Sequence, residues 1–428
     1  MLALAVPVML SNLSTPLLGV VDTAVVGRIP DPAHIGAVAV AALVFTFVFW
    51  AFGFLRMGTT GLSAQALGAR DEIELTACLG RSLSMALIIG VALIALQWPI
   101  REITLGLIDP GERVEPLARA YFDIRIWAAP ATLANYALLG WFIGLGRTGI
   151  ALGLQLVLNL TNMVLDIVFV LGFGWGVSGV ALGTLLAEIT AAATGLVVAW
   201  IFVRERGGGW SLARILDRER LRRTIAVNRD IMIRSLALLF VFLWFVTHGA
   251  RQGEVVLAAN AVLMHFISVT SYFLDGLAFA AEALVGRAVG AGRRAALQLA
   301  VRLTTLWAVT TAVVLSLAFI AAGPWVIDFM TVDPATRVAA REHLAWAALA
   351  PLVGVWAFQL DGIFIGATRT VDMRRAMLAS TVVFLAAWWL LQPLGNHGLW
   401  AAFHVHYIAR LLTLMRYYPA LLRSVRDG

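Results

Sequence analysis

Asp22, Asp166, Glu188, Asp275, Glu282 and Asp361 are acidic residues in stretches otherwise suited only to hydrocarbon. A charge in mid-membrane costs roughly 2.5–3.5 kcal/mol even on lenient insertion scales, so each needs a partner or a task. For a carboxyl in a dry pocket that task is to exchange protons or to hold a cation. Asp22 lies in Pro16-Leu-Leu-Gly-Val-Val-Asp-Thr-Ala-Val-Val, and helical periodicity puts it on nearly one face with Ser11 and Thr15. Pro7 and Pro16 interrupt the same helix, each removing a backbone donor and permitting a bend. Further on, Asn159, Asn162 and Asp166 fall at i, i+3 and i+7, a polar stripe on an apolar helix, while Thr184 and Glu188 are four apart and share a face. Lipid offers no hydrogen bonds, so such stripes must look into the bundle or a wet cavity. Asp22 and Asp166 in one low-dielectric pocket would repel, which favours their sharing one proton.

In the second half, Asp275 and Glu282 are seven apart and hence on one face, and Asp361 lies in Gln359-Leu-Asp-Gly. Substrate contact, a second ion site and helix packing are all open to these three. Arg56 and Arg125 also fall inside apolar spans and are most simply counter-ions to buried acids, with the pairing unreadable from sequence.

The elements that carry these residues follow from composition. The chain has 428 residues, 61% apolar and 13% charged, with a mean hydropathy of +0.88. Soluble proteins run at about 45–50% apolar and about 25% charged, so a water-soluble enzyme, a secreted module and a disordered tail are excluded together. One crossing helix needs about 20 apolar residues plus a connection, which allows about twelve spans. They read as 2–27, 34–58, 76–98, 117–145, 149–172, 178–203, 227–250, 256–286, 297–322, 338–366, 374–393 and 397–418. A β-barrel would instead alternate in polarity over segments of about ten residues. The first span lacks a charged leader and a cleavage site, which argues against a removed signal peptide.

All 32 basic residues are Arg, and their placement accounts for the net charge of +7 without any nucleic-acid partner. With both termini inside, 22 fall on the cytoplasmic side and seven outside, with three in spans. The polar stretch 204–226, containing the triple glycine 207–209 and a charged run from Asp217 to Arg223, reads as a basic linker near anionic lipid. It separates an amino-terminal lobe, 1–203, from a carboxy-terminal lobe, 227–428. The lobes are related: Gly140-Trp-Phe-Ile-Gly-Leu-Gly-Arg-Thr148 matches Gly362-Ile-Phe-Ile-Gly-Ala-Thr-Arg-Thr370 at an offset of 222. Ala64-Gln-Ala-Leu-Gly-Ala69 matches Gly286-Arg-Ala-Val-Gly-Ala291 at the same offset. Both matches stay on one side of the membrane, so the repeat is parallel. The expected fold is all-α: twelve transmembrane helices in two parallel-related six-helix lobes around a central cleft.

Enzyme motifs are absent or misplaced. Gly144-Leu-Gly-Arg-Thr-Gly149 matches a dinucleotide fingerprint but follows a helix rather than a strand. His404 and His406 point to different helix faces and make a poor metal pair, and no HExxH, GxSxG or GxGD occurs. The single cysteine, Cys78, permits no internal disulfide. The expectation is a transporter without cofactor or metal.

The motifs together resemble the multidrug and toxic compound extrusion (MATE) family, in particular its DinF-type branch. The resemblance rests on Pro7-Val-Met-Leu-Ser-Asn12, Pro16-Leu-Leu-Gly-Val-Val-Asp-Thr-Ala-Val-Val-Gly27 and Leu55-Arg-Met-Gly-Thr-Thr-Gly-Leu-Ser-Ala-Gln65. It also rests on Asn228-Arg-Asp-Ile-Met, Leu274-Asp-Gly and Leu360-Asp-Gly-Ile-Phe-Ile-Gly-Ala-Thr-Arg369. It implies a monomeric secondary transporter of a bacterial inner membrane that exports organic, often cationic or amphipathic, compounds in exchange for H⁺ or Na⁺. It also implies that Asp22 bonds with Asn162, Asp166 and Thr184 as the proton-coupling group, and that Pro7 is the hinge. Na⁺-coupled relatives use second-lobe acids including one on span seven; Ile231 to Val246 has none, which favours protons, although Asp361 matches the span-ten acid. Asp275, Glu282, Asp361, Glu188, Arg56 and Asn159 remain candidates for substrate contact or a second ion site. The alternatives are a Na⁺-coupled drug antiporter, a flippase for a lipid-linked precursor, and a membrane hydrolase or receptor. The last would need a soluble domain or a nucleophile–base pair, and neither is visible.

Overall fold

The computed structural model describes residues 1–29, 31–206 and 209–425, the side chains of 15–18 and 20 excepted. Thr15, Pro16, Gly207 and Gly208, singled out above, lie outside the described residues or side chains. No strand occurs among the described residues, which form sixteen α-helices. The first half holds α1 (Leu2–Val26), α2 (Pro32–Trp50), α3 (Phe54–Gly68), α4 (Glu72–Ala95), α5 (Gln97–Ile108), α6 (Glu115–Arg125), α7 (Ala129–Gly144), α8 (Thr148–Asp166) and α9 (Gly176–Glu205). The short α10 (Leu212–Ile215) leads into α11 (Arg218–Ala250), α12 (Glu254–Gly290), α13 (Arg294–Met330), α14 (Pro334–Gly366), α15 (Thr370–Leu391) and α16 (Gly395–Ser424).

Among the described residues, ten runs are long and apolar enough to cross a membrane. One of them, Thr370–Ser424, is two crossings, α15 and α16, and α1 adds another, giving twelve. The outer surfaces are those of a protein solvated by lipid: Leu107 and Phe329 are each 81% exposed and Trp325 71%. Asp residues start several helices by accepting an orphan backbone N–H. Asp31 caps α2 through Ala33 N at 3.0 Å, Asp71 caps α4 through Glu74 N at 2.9 Å, and Asp333 caps α14 through Thr336 N at 2.8 Å. Pro32 and Pro334 follow two of those caps, where their missing N–H costs nothing.

Two compact units result, residues 10–225 (the first unit) and residues 1–9 with 226–428 (the second). The first nine residues thus group with the carboxy-terminal half. Ala5 shares an apolar cluster with Leu274, Leu277, Ala312 and Val355. A Cβ at Gly276 would come within 2.5 Å of Met9 Cγ, so this close contact requires glycine. The linker differs from expectation. Its run from Arg218 to Arg223 is the first turn and a half of α11, and the remainder is tied to α4. Arg214 pairs with Asp71 at 2.6 Å and Glu74 at 3.3 Å, Arg220 with Glu74 at 2.6 Å, and Arg206 with Glu72 at 3.1 Å. The buried Arg81 joins the set through Glu74 and the carbonyl of Arg214.

The repeat is visible in the packing of each unit. In the first, a Cβ on Gly140 would meet Arg56 O at 2.3 Å and one on Gly144 would meet Thr60 O at 2.7 Å. In the second, Gly362 meets Ala278 O at 2.4 Å and Gly366 meets Glu282 O at 2.5 Å. All four contacts obey the offset of 222. The motif glycines therefore serve to bring α7 against α3, and α14 against α12, at backbone distance.

Candidate functional site

Within the first unit, α1, α8 and α9 bring Asp22, Asn162, Asp166 and Thr184 together. Asn162 and Asp166 are fully buried, Thr184 is buried and Asp22 half-buried. The Asp22 and Asp166 carboxyls are hydrogen-bond neighbours. In the amide orientation that satisfies every partner, Asn162 Nδ2 donates to Asp22 Oδ1 at 3.2 Å and to Asp166 Oδ2 at 3.3 Å. Its oxygen then accepts from Thr184 N at 3.2 Å and Thr184 Oγ1 at 3.1 Å. Tyr121 of α6 reaches the same Thr184 hydroxyl. The π-helical turn 167–172 directly follows Asp166, a distortion common at functional positions.

Two features distinguish this cluster from the other polar contacts between the helices. The two carboxyls face each other, and both lie within reach of the Asn162 amide. Asp166 Oδ1, besides, has no hydrogen-bond partner among the described residues, and it rests against α9 where a Cβ on Gly183 would come within 2.3 Å. Gly183 is the reason the carboxyl fits.

The flanking charge is accounted for. Arg125 pairs with Glu188 at 3.2 Å, stands over the rings of Phe45 and Phe49 at 5.6 and 5.4 Å, and acts electrostatically on Asp22. Asn135 of α7 donates to Glu188 Oε2 at 2.7 Å and to its backbone carbonyl at 3.0 Å. Glu188 is therefore a partnered counter-ion beside the pair. Asn159 donates to Ser14 Oγ at 2.9 Å and accepts from Gln155 at 3.0 Å, a polar tie between α8 and α1 one turn from Asn162. Arg56 lies in α3, where its carbonyl meets Gly140, and acts electrostatically on Tyr136. Tyr121, Asn135 and Gly183 escaped the sequence reading. Asn135 could have been noticed as a lone amide in an apolar helix; Tyr121 and Gly183 carry no local signal.

The second-unit acids are arranged differently. Asp361 is buried and accepts from both Arg234 and Arg410, with Tyr407 and Asp275 electrostatically linked to Arg410. A carboxylate between two guanidiniums is already more than neutralised, which disfavours it as a seat for a free cation. Arg234, one of the 22 arginines counted above on the cytoplasmic side, is thus a buried member of the second unit. Glu282 is buried and sits where α12 meets Gly366, the repeat equivalent of Thr60.

The offset also shows what the second unit has in place of the carboxyl pair. Asp22 corresponds to Trp244 and Asp166 to Trp388, whose rings meet edge-on at 5.0 Å. Asn162 corresponds to Phe384 and Thr184 to His406, in contact at 5.9 Å. The same geometry holds a carboxyl-bearing cluster in one unit and an aromatic cluster in the other.

Comparison with known proteins agrees with this architecture. The MatE family model matches residues 7–168 and 231–389, both halves of the repeat. The chain is 39% identical over 411 residues to DNA damage-inducible protein F of Escherichia coli K12, covering 96% of this chain and 90% of that one. It is 29% identical to the probable multidrug resistance protein NorM of Deinococcus radiodurans, covering 94% and 90% of the two. In fold it is similar to a MOP superfamily transporter from Pyrococcus furiosus, with a TM-score of 0.88 at 18% identity over 100% of this chain and 96% of that one. A MATE protein in complex with MaD3S gives 0.88 at 19% identity over 99% and 96%.

Proposed function

The chain belongs to the MATE family of multi-pass secondary transporters, which are not enzymes, and from that premise we propose that it is a proton-coupled antiporter of a bacterial inner membrane. Its cargo in this reading is organic, often cationic or amphipathic, and Asp22 and Asp166 carry the proton. The observation that supports it is the contact between the half-buried Asp22 and fully buried Asp166 carboxyls that Asn162 holds from one side, in the unit that has no aromatic substitute for them.

The mechanism is linkage. A proton and a cationic substrate both neutralise the same pair, so binding of either lowers affinity for the other by the same factor. Where protons are plentiful the pair is protonated and substrate leaves; where they are scarce the deprotonated pair accepts the next one. Asn162 lets both states persist, because its amide can hold two carboxylate oxygens when the shared proton is gone. Pro7, lacking a backbone N–H, is where α1 bends at least cost, two residues before the chain passes from the second unit to the first. The arginine distribution favours cytoplasmic termini, now as 21 against seven once Arg234 is removed from the inner count. Na⁺ coupling through Asp361 is disfavoured by its two guanidinium partners.

The test is proton release on binding. Calorimetric titration of the purified protein with tetraphenylphosphonium, in buffers of different ionisation enthalpy, should show protons released by the wild type and none by Asp22→Asn. Equal release from both would overturn the assignment.

A further inference from the structure

Where α14 and α16 begin, the second unit brings together Glu342, His343 and His397, one ligand atom from each within 4.8 Å of the others. No spacing in the sequence announces this set, because its third member comes from another helix. His343 is only 6% exposed, and its Nδ1 lies 2.8 Å from the carbonyl of Ala339. That contact keeps the ring proton on Nδ1 and leaves a lone pair on Nε2, an atom buried with no hydrogen-bond partner among the described residues. A backbone carbonyl on the far nitrogen is the usual support for a metal-binding imidazole. The His397 ring stacks on that of His343 with centroids 4.2 Å apart, and its Nε2 faces Glu342 Oε1 at 3.4 Å.

We propose that Glu342, His343 and His397 form a site for a borderline divalent cation of the Zn²⁺ type, bound through both Nε2 atoms and the Glu342 carboxylate. Zn–N bonds of about 2.0–2.1 Å in tetrahedral geometry place ligand atoms roughly 3.4 Å apart. His397 Nε2 and Glu342 Oε1 already stand at that spacing. An imidazole binds metal in its ring plane, so the His397 ring must turn out of its stack on His343 to aim Nε2 at the same ion, a movement left to the half-buried His397 and exposed Glu342 side chains. An oxygen-preferring ion such as Mg²⁺ gains little from two imidazoles, so the site discriminates by ligand type. Bound metal would tie the start of α14 to the start of α16, the end that the arginine distribution places outside.

Trp346 gives the site a signature. Its Nε1–H donates to His397 Nδ1 at 3.0 Å, so the neutral ring carries its proton on Nε2. Metal on Nε2 moves that proton to Nδ1, where it faces the indole N–H donor to donor, and Trp346 must turn away. The indole therefore competes with the metal.

The experiment is calorimetric titration of the full-length, detergent-purified protein with ZnCl₂, with MgCl₂ as control and thermal unfolding to verify folding. The expected result is one Zn²⁺ per chain, affinity reduced at least tenfold by H343Q and by H397Q, and affinity raised several-fold by W346F. His397 is half-buried, so H397Q carries the test should the buried H343Q misfold. Wild-type affinity in H397Q, or Mg²⁺ binding as tightly as Zn²⁺, would overturn the proposal. Unchanged affinity in W346F would overturn the ligand atoms assigned to His397.

Discussion

Gly183→Ala separates coupling from folding at the carboxyl pair. The added Cβ would stand 2.3 Å from Asp166 Oδ1 but 3.4 Å from Cγ and from the backbone nitrogen, so only the oxygen is in violation. The carboxyl must swing by about 1 Å to restore ordinary contact. Asn162 Nδ2 is already 3.3 Å from Asp166 Oδ2, and a further ångström breaks that bond. A hydrogen bond to a charged group contributes about 1.5–3 kcal/mol, or roughly 10- to 100-fold in the affinity of the pair for its proton. Meanwhile α9 exchanges glycine for alanine, which favours the helix by about 1 kcal/mol. The variant should therefore unfold near the wild-type temperature in detergent while its initial rate of substrate efflux from proteoliposomes, at a fixed pH gradient, falls about 10- to 100-fold. Gly153→Ala on α8, where the new methyl meets nothing within 4 Å, is the control and should transport normally. Efflux by Gly183→Ala within twofold of wild type would refute the reasoning.

Three further outcomes follow from the same geometry. Asp361→Asn removes the carboxylate that both Arg234 and Arg410 share and should cost about 3–5 kcal/mol, read as a lowered unfolding temperature that Na⁺ does not restore. Glu74→Gln weakens the ties to Arg81, Arg214 and Arg220, so limited proteolysis should cut residues 209–217 faster than in the wild type. Glu102, outside the spans, has its carboxyl held at about 2 by hydrogen bonds from Arg119 and then Arg101. A lowered carboxyl contributes stability above its ordinary range and loses it as pH falls toward 2, so this cluster should leave thermal stability flat between about pH 5 and 8 and weaken it only below about 4.

The twelve crossings were legible because hydrocarbon demands uninterrupted apolar helix, and the repeat because close helix contact demands glycine at 140, 144, 362 and 366. Asp166 and Asn162 stood out as polar groups in an apolar helix. What sequence could not show was pairing across helices: that Arg125 belongs to Glu188, that Asp361 lies between Arg234 and Arg410, or that Tyr121 reaches Thr184. Such contacts depend on which faces meet, and periodicity gives faces without their neighbours. The linker misled for a related reason. Its charges read as a basic linker near anionic lipid, whereas the complementary acids Asp71, Glu72 and Glu74 lie more than a hundred residues away.

The most direct test of coupling in the first unit is substrate-driven proton flux in proteoliposomes under an imposed pH gradient with Na⁺ absent. Wild type should move protons when substrate is present, and Asp22→Asn should move none while remaining folded. Flux that survives Asp22→Asn, or that appears only when Na⁺ is added, would contradict the account and move the coupling site to the second unit.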